Sequence, residues 1–430
     1  MIYHLFQYLE SIGADFPGLG LMHYLSFRAM MAAVTAVLVA LIAGKRIIRM
    51  LQRKQIGETV RDLGLADQIQ KKGTPTMGGI IIILSILSGV LLFCDLTNIY
   101  VILLLVSTLW CGALGFADDY IKVFKHNKEG MSERGKLVGQ VILGFIVGLT
   151  VWMSPDIVVR EKVEVRESEE RSLETETTVT SGRFVEENVV KSTKTTIPFV
   201  KNHEFDYRWL SPVKGVWGWY AKWAIYVLMI VLVITACSNG TNLTDGLDGL
   251  AAGTSAIVGV VLGIMAWLGG NLIDSNFLNI MYIPGSGEMA IFMSAFVGAL
   301  VGFLWFNSFP AQVFMGDTGS LTIGGIIGVS AVLMRKELLI PLLCGVFFAE
   351  SLSVLVQRTY FKITKKKYGQ GRRVWSMTPL HHHYQDKKAP EGPVLFPKPV
   401  PAQHEAKITV RFWIVGIILA VSTLALLKIR

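Results

Sequence analysis

Residues 224–251 read AIYVLMIVLVITACSNGTNLTDGLDGLA, and a second apolar run, IVGVVLGIMAWLGG, follows at 257–270. A segment that crosses a bilayer as a helix needs roughly 20 mostly apolar residues. Both runs extend to that length with their flanks, so the stretch reads as two membrane helices with Asp245 and Asp248 at their mouth. Outward from this pair, the pattern repeats. Apolar windows of spanning size lie near 24–44, 77–95, 99–117, 137–153, 219–237, 250–268, 289–306, 320–334, 337–360 and 410–428. The window at 320–334 is short and rich in glycine.

Composition points the same way. The 430 residues are 52% hydrophobic and 17% charged, with a mean hydropathy of +0.49, against about 25% charged residues in a soluble domain. The fold class predicted is an all-α polytopic membrane protein of about ten transmembrane helices. Helices are the expected spanning form because backbone groups in lipid are satisfied within the segment. A membrane barrel would alternate polar and apolar residues instead. The first 27 residues contain no Lys or Arg, so no positively charged leader region is expected. Cys94, Cys111, Cys237 and Cys344 all fall in or beside apolar segments, which suits small core residues better than a disulfide framework.

The net charge of +9 is concentrated. Eight basic residues lie between Lys45 and Lys72, five between Lys122 and Lys136, and Lys362–Arg411 is basic again. Ten crossings put these three loops on one side, and the positive-inside rule makes that side cytoplasmic. Arg335 and Lys336 then violate the rule on the outer side. The basic charge serves topology and anionic groups at the inner leaflet; nucleic acid is a poor partner, since the charges have no compact soluble domain to sit on.

The chain reads as one integral-membrane domain, 1–430, with two departures. Residues 156–210 form an outer-face insertion, charged and Thr/Val-rich, in which apolar and charged residues alternate as in strands. TSGRF at 180–184 supplies a turn, so a small β-hairpin is expected, either docking a partner or capping a helix pair. Residues 361–409 are a long cytoplasmic loop that contains HHH at 381–383 and a Pro-rich stretch.

Five short polar runs end apolar segments: KKGTPTMGG (71–79), GFADDYIK (115–122), NGTNLTDGLDGL (239–250), FNSFPAQVFMGDTGS (306–320) and TPLHHHYQ (378–385). All five fall on the predicted cytoplasmic face. A transporter would place its carboxylates near mid-bilayer. Asp118 and Asp119 point about 100° apart on a helix, so they do not chelate as a simple pair. Asp245 and Asp248, spaced three apart, would share a helix face with Asn242. Thr244 as a helix cap, with an Asp near the positive dipole end, is the alternative. Asp317 sits in a Gly-flanked turn that suits an anion. Three consecutive His do not converge easily on one metal, so a phosphate or loop role is preferred to zinc. Carboxylates without cysteine suit Mg²⁺, which takes one or two protein carboxylates plus substrate phosphates. Together the runs predict phosphoryl transfer between a soluble and a lipid substrate.

KKGTPTMGG, FADDYIK, NLTDGLDGLA, GFLWFN with FPAQVFMGDTGSL, and HHHY together resemble the phospho-N-acetylmuramoyl-pentapeptide transferases. These are a branch of the polyprenyl-phosphate N-acetylhexosamine-1-phosphate transferases. The resemblance runs from about residue 20 to RFWI at 411–414, apart from most of 156–210 and part of 361–400. It implies ten helices, a homodimer in the bacterial inner membrane, and an active site on the cytoplasmic face. It also implies transfer of phospho-N-acetylmuramoyl-pentapeptide from its UDP carrier to undecaprenyl phosphate, giving UMP and lipid I for peptidoglycan synthesis. Mg²⁺ is the implied cofactor, bound by Asp317, with Asp118 and Asp245 as further candidate ligands. By the same resemblance Asp118 and Asp119 sit at the lipid phosphate. Asn242, Asp245 and Gly246 serve the nucleotide and metal side, and Asp248 the uracil. Phe314 stacks on the base near Lys71 and Asn307. Thr76, Lys122, His381, His382 and His383 complete the polar rim, and Lys136 is a weaker candidate because its loop is harder to carry over. Two rivals remain: a sister enzyme transferring N-acetylglucosamine-1-phosphate, and a lipid transporter.

Overall fold

A computed structural model describes residues 1–430 except 14–17, 54–72, 126, 128, 161–188, 199–203, 386–392, 398–400 and 428–430. Lys71 and the TSGRF turn therefore lie outside the described residues. Fourteen α-helices are described, beginning with a short N-terminal helix, α1 (Ile2–Ser11), followed by α2 (Leu25–Arg53), α3 (Gly79–Phe93), α4 (Ile99–Phe124) and α5 (Glu133–Met153). After the outer segment come α6 (Val216–Thr244), α7 (Leu250–Gly270), α8 (Leu272–Leu278), α9 (Gly287–Asn307) and α10 (Gly316–Leu333). The chain closes with α11 (Ile340–Leu343), α12 (Gly345–Tyr368), α13 (Leu380–Gln385) and α14 (Glu405–Leu426). Eight of these, α2, α4, α5, α6, α7, α9, α10 and α14, are long and apolar enough to cross a membrane. α3 is a shorter apolar helix, and α12 covers most of the ninth window. All ten windows thus coincide with helices.

The helices are built for lipid. α2 buries the small residues Ala32, Ala36, Ala40 and Gly44 at four-residue spacing and exposes Met30, Val34, Leu38 and Ile42. Small residues inside and large apolar ones outside invert the soluble pattern, because close backbone approach rather than water exclusion drives packing in a bilayer. α10 is the opposite case: every residue from Thr318 to Leu333 is buried. It runs through the centre of the bundle, packed mainly on α4 and α6. The Gly-rich window that was shortest in sequence is the core helix, because small side chains let its neighbours close around it.

The outer segment is anchored at its base. β1 (Val159–Arg160) pairs antiparallel with β2 (Val189–Val190), and β3 (Lys194–Thr196) with β4 (Glu204–Asp206). The second pair covers the turn after α10. Thr196 N donates to Arg335 O at 3.0 Å, Lys336 Nζ to Thr196 Oγ1 at 2.6 Å, and Tyr207 OH to Glu337 Oε1 at 3.2 Å. The Arg335 guanidinium lies 4.8 Å from the Tyr226 ring centroid. Arg335, Lys336 and Glu337 are all buried, which explains their tolerance on the predicted outer face: they are paired internally and do not act as topology signals. Burial pushes the Lys336 ammonium down to about 8, against the opposing pull of Glu337, and pushes the Glu337 carboxyl up. In the long loop, β5 (Arg373–Trp375) pairs in parallel with β6 (Val394–Phe396) inside the Pro-rich stretch.

Candidate active site

Three helix ends meet at the first cluster. α4 brings Asp118 and Asp119 near its end and Lys122 one turn later, α5 brings Lys136 in its first turn, and α10 brings Asp317 as its second residue. Lys122 Nζ lies 2.6 Å from Asp118 Oδ2 and 3.2 Å from Asp317 Oδ1. Lys136 Nζ lies 3.0 Å from Asp118 Oδ1 and 2.5 Å from Asp317 Oδ2. Asp118 is wholly buried and also accepts from Met131 N at 2.7 Å, so the loop before α5 folds onto it. Lys122, at 34% exposure, marks the open side.

Asp119 faces another way. Its oxygens accept from Asp317 N (3.1 Å), Thr318 N (2.9 Å) and Thr318 Oγ1 (2.6 Å). Two of these donors are backbone N–H groups that the first turn of a helix leaves without partners, so α4 caps α10 and fixes Asp317. Gly316 enters this turn at φ +70°, and a Cβ there would meet Asp119 Oδ2 at 2.6 Å. The carboxylates of Asp118, Asp119 and Asp317 offer one oxygen each, all within 4.8 Å of one another. An oxygen-only donor set fits a hard divalent cation such as Mg²⁺.

The second cluster is the turn between α6 and α7, and here the helical expectation fails. α6 ends at Thr244 and α7 begins at Leu250, so Asp245 and Asp248 do not share a helix face with Asn242. Gly249 takes φ +73°. Asp248 Oδ2 accepts from Ala311 N at 2.9 Å, and Asp248 N donates to Glu405 Oε1 at 2.6 Å, where a continuous helix would direct that N–H to the Thr244 carbonyl. Thr244 is not an N-cap either; its hydroxyl donates back to Gly240 O at 2.8 Å. Asn242 bonds Ser320 Oγ at 2.9 Å, three residues beyond Asp317, and so ties this turn to the first cluster.

The remaining expected residues divide. Thr76 is buried beside Gly316. Phe314 is half-buried, and its backbone bonds Pro75 O and Gly78 N, which joins the 75–78 segment to the mouth of α10. Asn307 uses both ends of its amide on the backbone, at Gly249 N and Val313 O. Of the three His, His381 and His383 are buried and His382 is half-exposed. His381 lies against Glu350, and His383 Nδ1 accepts from Ser376 N at 3.3 Å. Sequence reasoning gave Lys136 only a weaker place on the rim and missed Glu350 and Glu405. Lys136 had one usable signal, a cation in the first turn of an apolar helix. The two glutamates had another: a carboxylate within or opening an apolar window.

Comparison with known proteins gives concordant matches. A family profile described as Glycosyl transferase family 4 matches residues 189–335, and one described as Phospho-N-acetylmuramoyl-pentapeptide-transferase signature 1 matches 71–83. The chain is 57% identical to a Parabacteroides distasonis protein named Phospho-N-acetylmuramoyl-pentapeptide-transferase, over 100% of both chains. Proteins of the same name from Flavobacterium psychrophilum and Porphyromonas gingivalis are each 53% identical, again over 100% of both chains. These alignments run through the outer segment, so relatives of similar length accommodate it.

Proposed function

Starting from the fact that the chain belongs to the phospho-N-acetylmuramoyl-pentapeptide transferases, we propose that it moves phospho-N-acetylmuramoyl-pentapeptide from UDP to undecaprenyl phosphate. The products are UMP and lipid I, and the open side of the Lys122 cluster faces the cytoplasm across the bacterial inner membrane. A homodimer, implied by the family, belongs to the same proposal. The observation that carries the reading is the joining of Asp118 and Asp317 by Lys122 and Lys136 at the mouth of three helices.

The chemistry follows from charge. A phosphate monoester, with a second pKa of about 6, is mostly dianionic at neutral pH, so it needs little help from a base. An oxygen of the lipid phosphate attacks the sugar-bearing phosphorus of the diphosphate. The bridging P–O bond breaks, and its electron pair leaves with UMP. The obstacle is repulsion between two anions, which Lys122 and Lys136 relieve from opposite sides of Asp118. Mg²⁺, when held by Asp317 and Asp118, supplies further positive charge at the diphosphate. Asp118 orients both ammonium groups, and Asp119 holds Asp317 in register. Asn242, Asp245, Asp248 and Phe314 serve the nucleotide side, and His382 is the histidine that reaches substrate.

The test is UMP release by purified protein given UDP-N-acetylmuramoyl-pentapeptide. Release that requires both undecaprenyl phosphate and Mg²⁺ is expected. Equal release without the lipid phosphate would overturn the reading.

A further inference from the structure

Glu350 stands in the first half of α12 with its side chain wholly buried, and the phosphoryl-transfer cluster makes no use of it. Its Oε2 lies 3.3 Å from His381 Nδ1, an ion-pair distance, and 3.5 Å from the His381 backbone N. Its Oε1 has no hydrogen-bond partner among the described residues. The imidazole is equally buried, and among the described residues neither ring nitrogen makes a hydrogen bond, so the contact with Glu350 is one of charge and packing at ion-pair distance. The ring's Nε2 faces the Asp245 turn so closely that a Cβ added to Gly246 would collide with it. The ring is thus held between a buried carboxylate and the backbone that carries Asp245.

A carboxylate buried to this degree is costly unless it has a fixed partner. A carboxylate packed against one edge of an imidazole also favours one placement of the ring, and so decides what the other nitrogen meets. We propose that Glu350 is a positioning residue acting through His381. The carboxylate–imidazole pair is a brace beneath the Gly246 turn that sets the place of Asp245 relative to the Asp317 cluster. His381 then supports the site from below, and only His382 of the three histidines faces outward. The inference rests on the reading above that the Asp245 turn meets the nucleotide substrate.

The experiment is a double-mutant cycle of Glu350→Gln and His381→Asn in the full-length protein, read by steady-state UMP release and by thermal unfolding of the ligand-free protein. Each single change is expected to lower kcat on the order of 10- to 100-fold, by analogy with carboxylates that orient metal-ligating histidines. KM for the UDP substrate should stay within about threefold, and the double variant should be no worse than the weaker single, since both remove one brace. Glu350→Asp, which keeps the charge, should recover part of the loss. The unfolding midpoints should show the same non-additivity. Additive losses in kcat or in midpoint, or no recovery with Glu350→Asp, would overturn the brace. If the wild type releases no UMP, the functional reading fails instead, and the unfolding cycle still decides whether Glu350 and His381 act as a pair.

Discussion

Asp119 and Asp118 are adjacent in sequence, yet the structure gives them different tasks, and substitution can separate them. Asp119 makes three hydrogen bonds to the first turn of α10, two of them to backbone N–H groups. Asparagine can keep its carbonyl oxygen where Oδ2 sits, which retains both contacts to Thr318 and loses the one to Asp317 N. A hydrogen bond to a charged group contributes about 1.5–3 kcal/mol. The loss of one such bond at the residue that must be held in place corresponds to roughly a 10- to 100-fold drop in kcat, at about 1.4 kcal/mol per tenfold. Alanine loses all three bonds and leaves two backbone donors without partners, roughly 4 kcal/mol or more. Asp119→Ala should therefore be inactive and melt at a lower temperature, while Asp119→Asn stays measurably active with KM little changed. The assay is UMP release beside a thermal unfolding curve in the same detergent. If Asp119→Asn is as inactive as Asp317→Asn with an unchanged melting curve, Asp119 acts on substrate or metal directly and the capping argument is wrong.

Other consequences can be checked in the same system. Asp317→Asn should remove most turnover; near-normal activity in excess Mg²⁺ would refute its metal role. Lys136→Gln should lower kcat on the order of 100-fold, since it removes one of two ammonium groups preorganised at the reacting phosphates; wild-type turnover would leave Lys122 as the sole counter-charge. Lys336, held near 8 in the folded protein and near 10.5 when unfolded, binds fewer protons when folded between those values. Stability should therefore rise with pH from about 8 to about 10.5, and Lys336→Met should flatten that rise in a series of melting curves. Deletion confined to residues 163–186 should leave UMP release intact, because the strands that cover Arg335–Glu337 lie outside it. Loss of turnover in a folded deletion protein would give the outer segment a catalytic role.

The sequence was most legible where physics acts locally. Apolar windows gave every spanning helix, because length and hydropathy alone decide what lipid accepts. Clustering at one end of the helices was legible too, through carboxylates placed where an apolar segment stops. It was not legible that Asp245 and Asp248 leave the helix. Three-residue spacing favours a helical face, and the bond from Ala311 N that pulls Asp248 away comes from 63 positions later in the chain. Glu350 escaped, and Lys136 was only a weaker candidate, for the same reason, since their roles exist only through partners on other helices. Arg335 and Lys336 read as a topology violation because the groups that bury them, the Tyr226 ring and Thr196 of the outer strands, lie far away in the chain.

The central claim is that a phosphosugar, not a bare sugar, is moved, and one label decides it. UDP-N-acetylmuramoyl-pentapeptide carrying ³²P only on the sugar-bearing phosphorus is turned over with undecaprenyl phosphate and Mg²⁺. Attack at that phosphorus puts the label in the lipid product and leaves unlabelled UMP. Labelled UDP in the aqueous phase, with an unlabelled lipid, would mean cleavage at the sugar carbon and would contradict the mechanism drawn from the Asp118–Lys122–Lys136–Asp317 cluster.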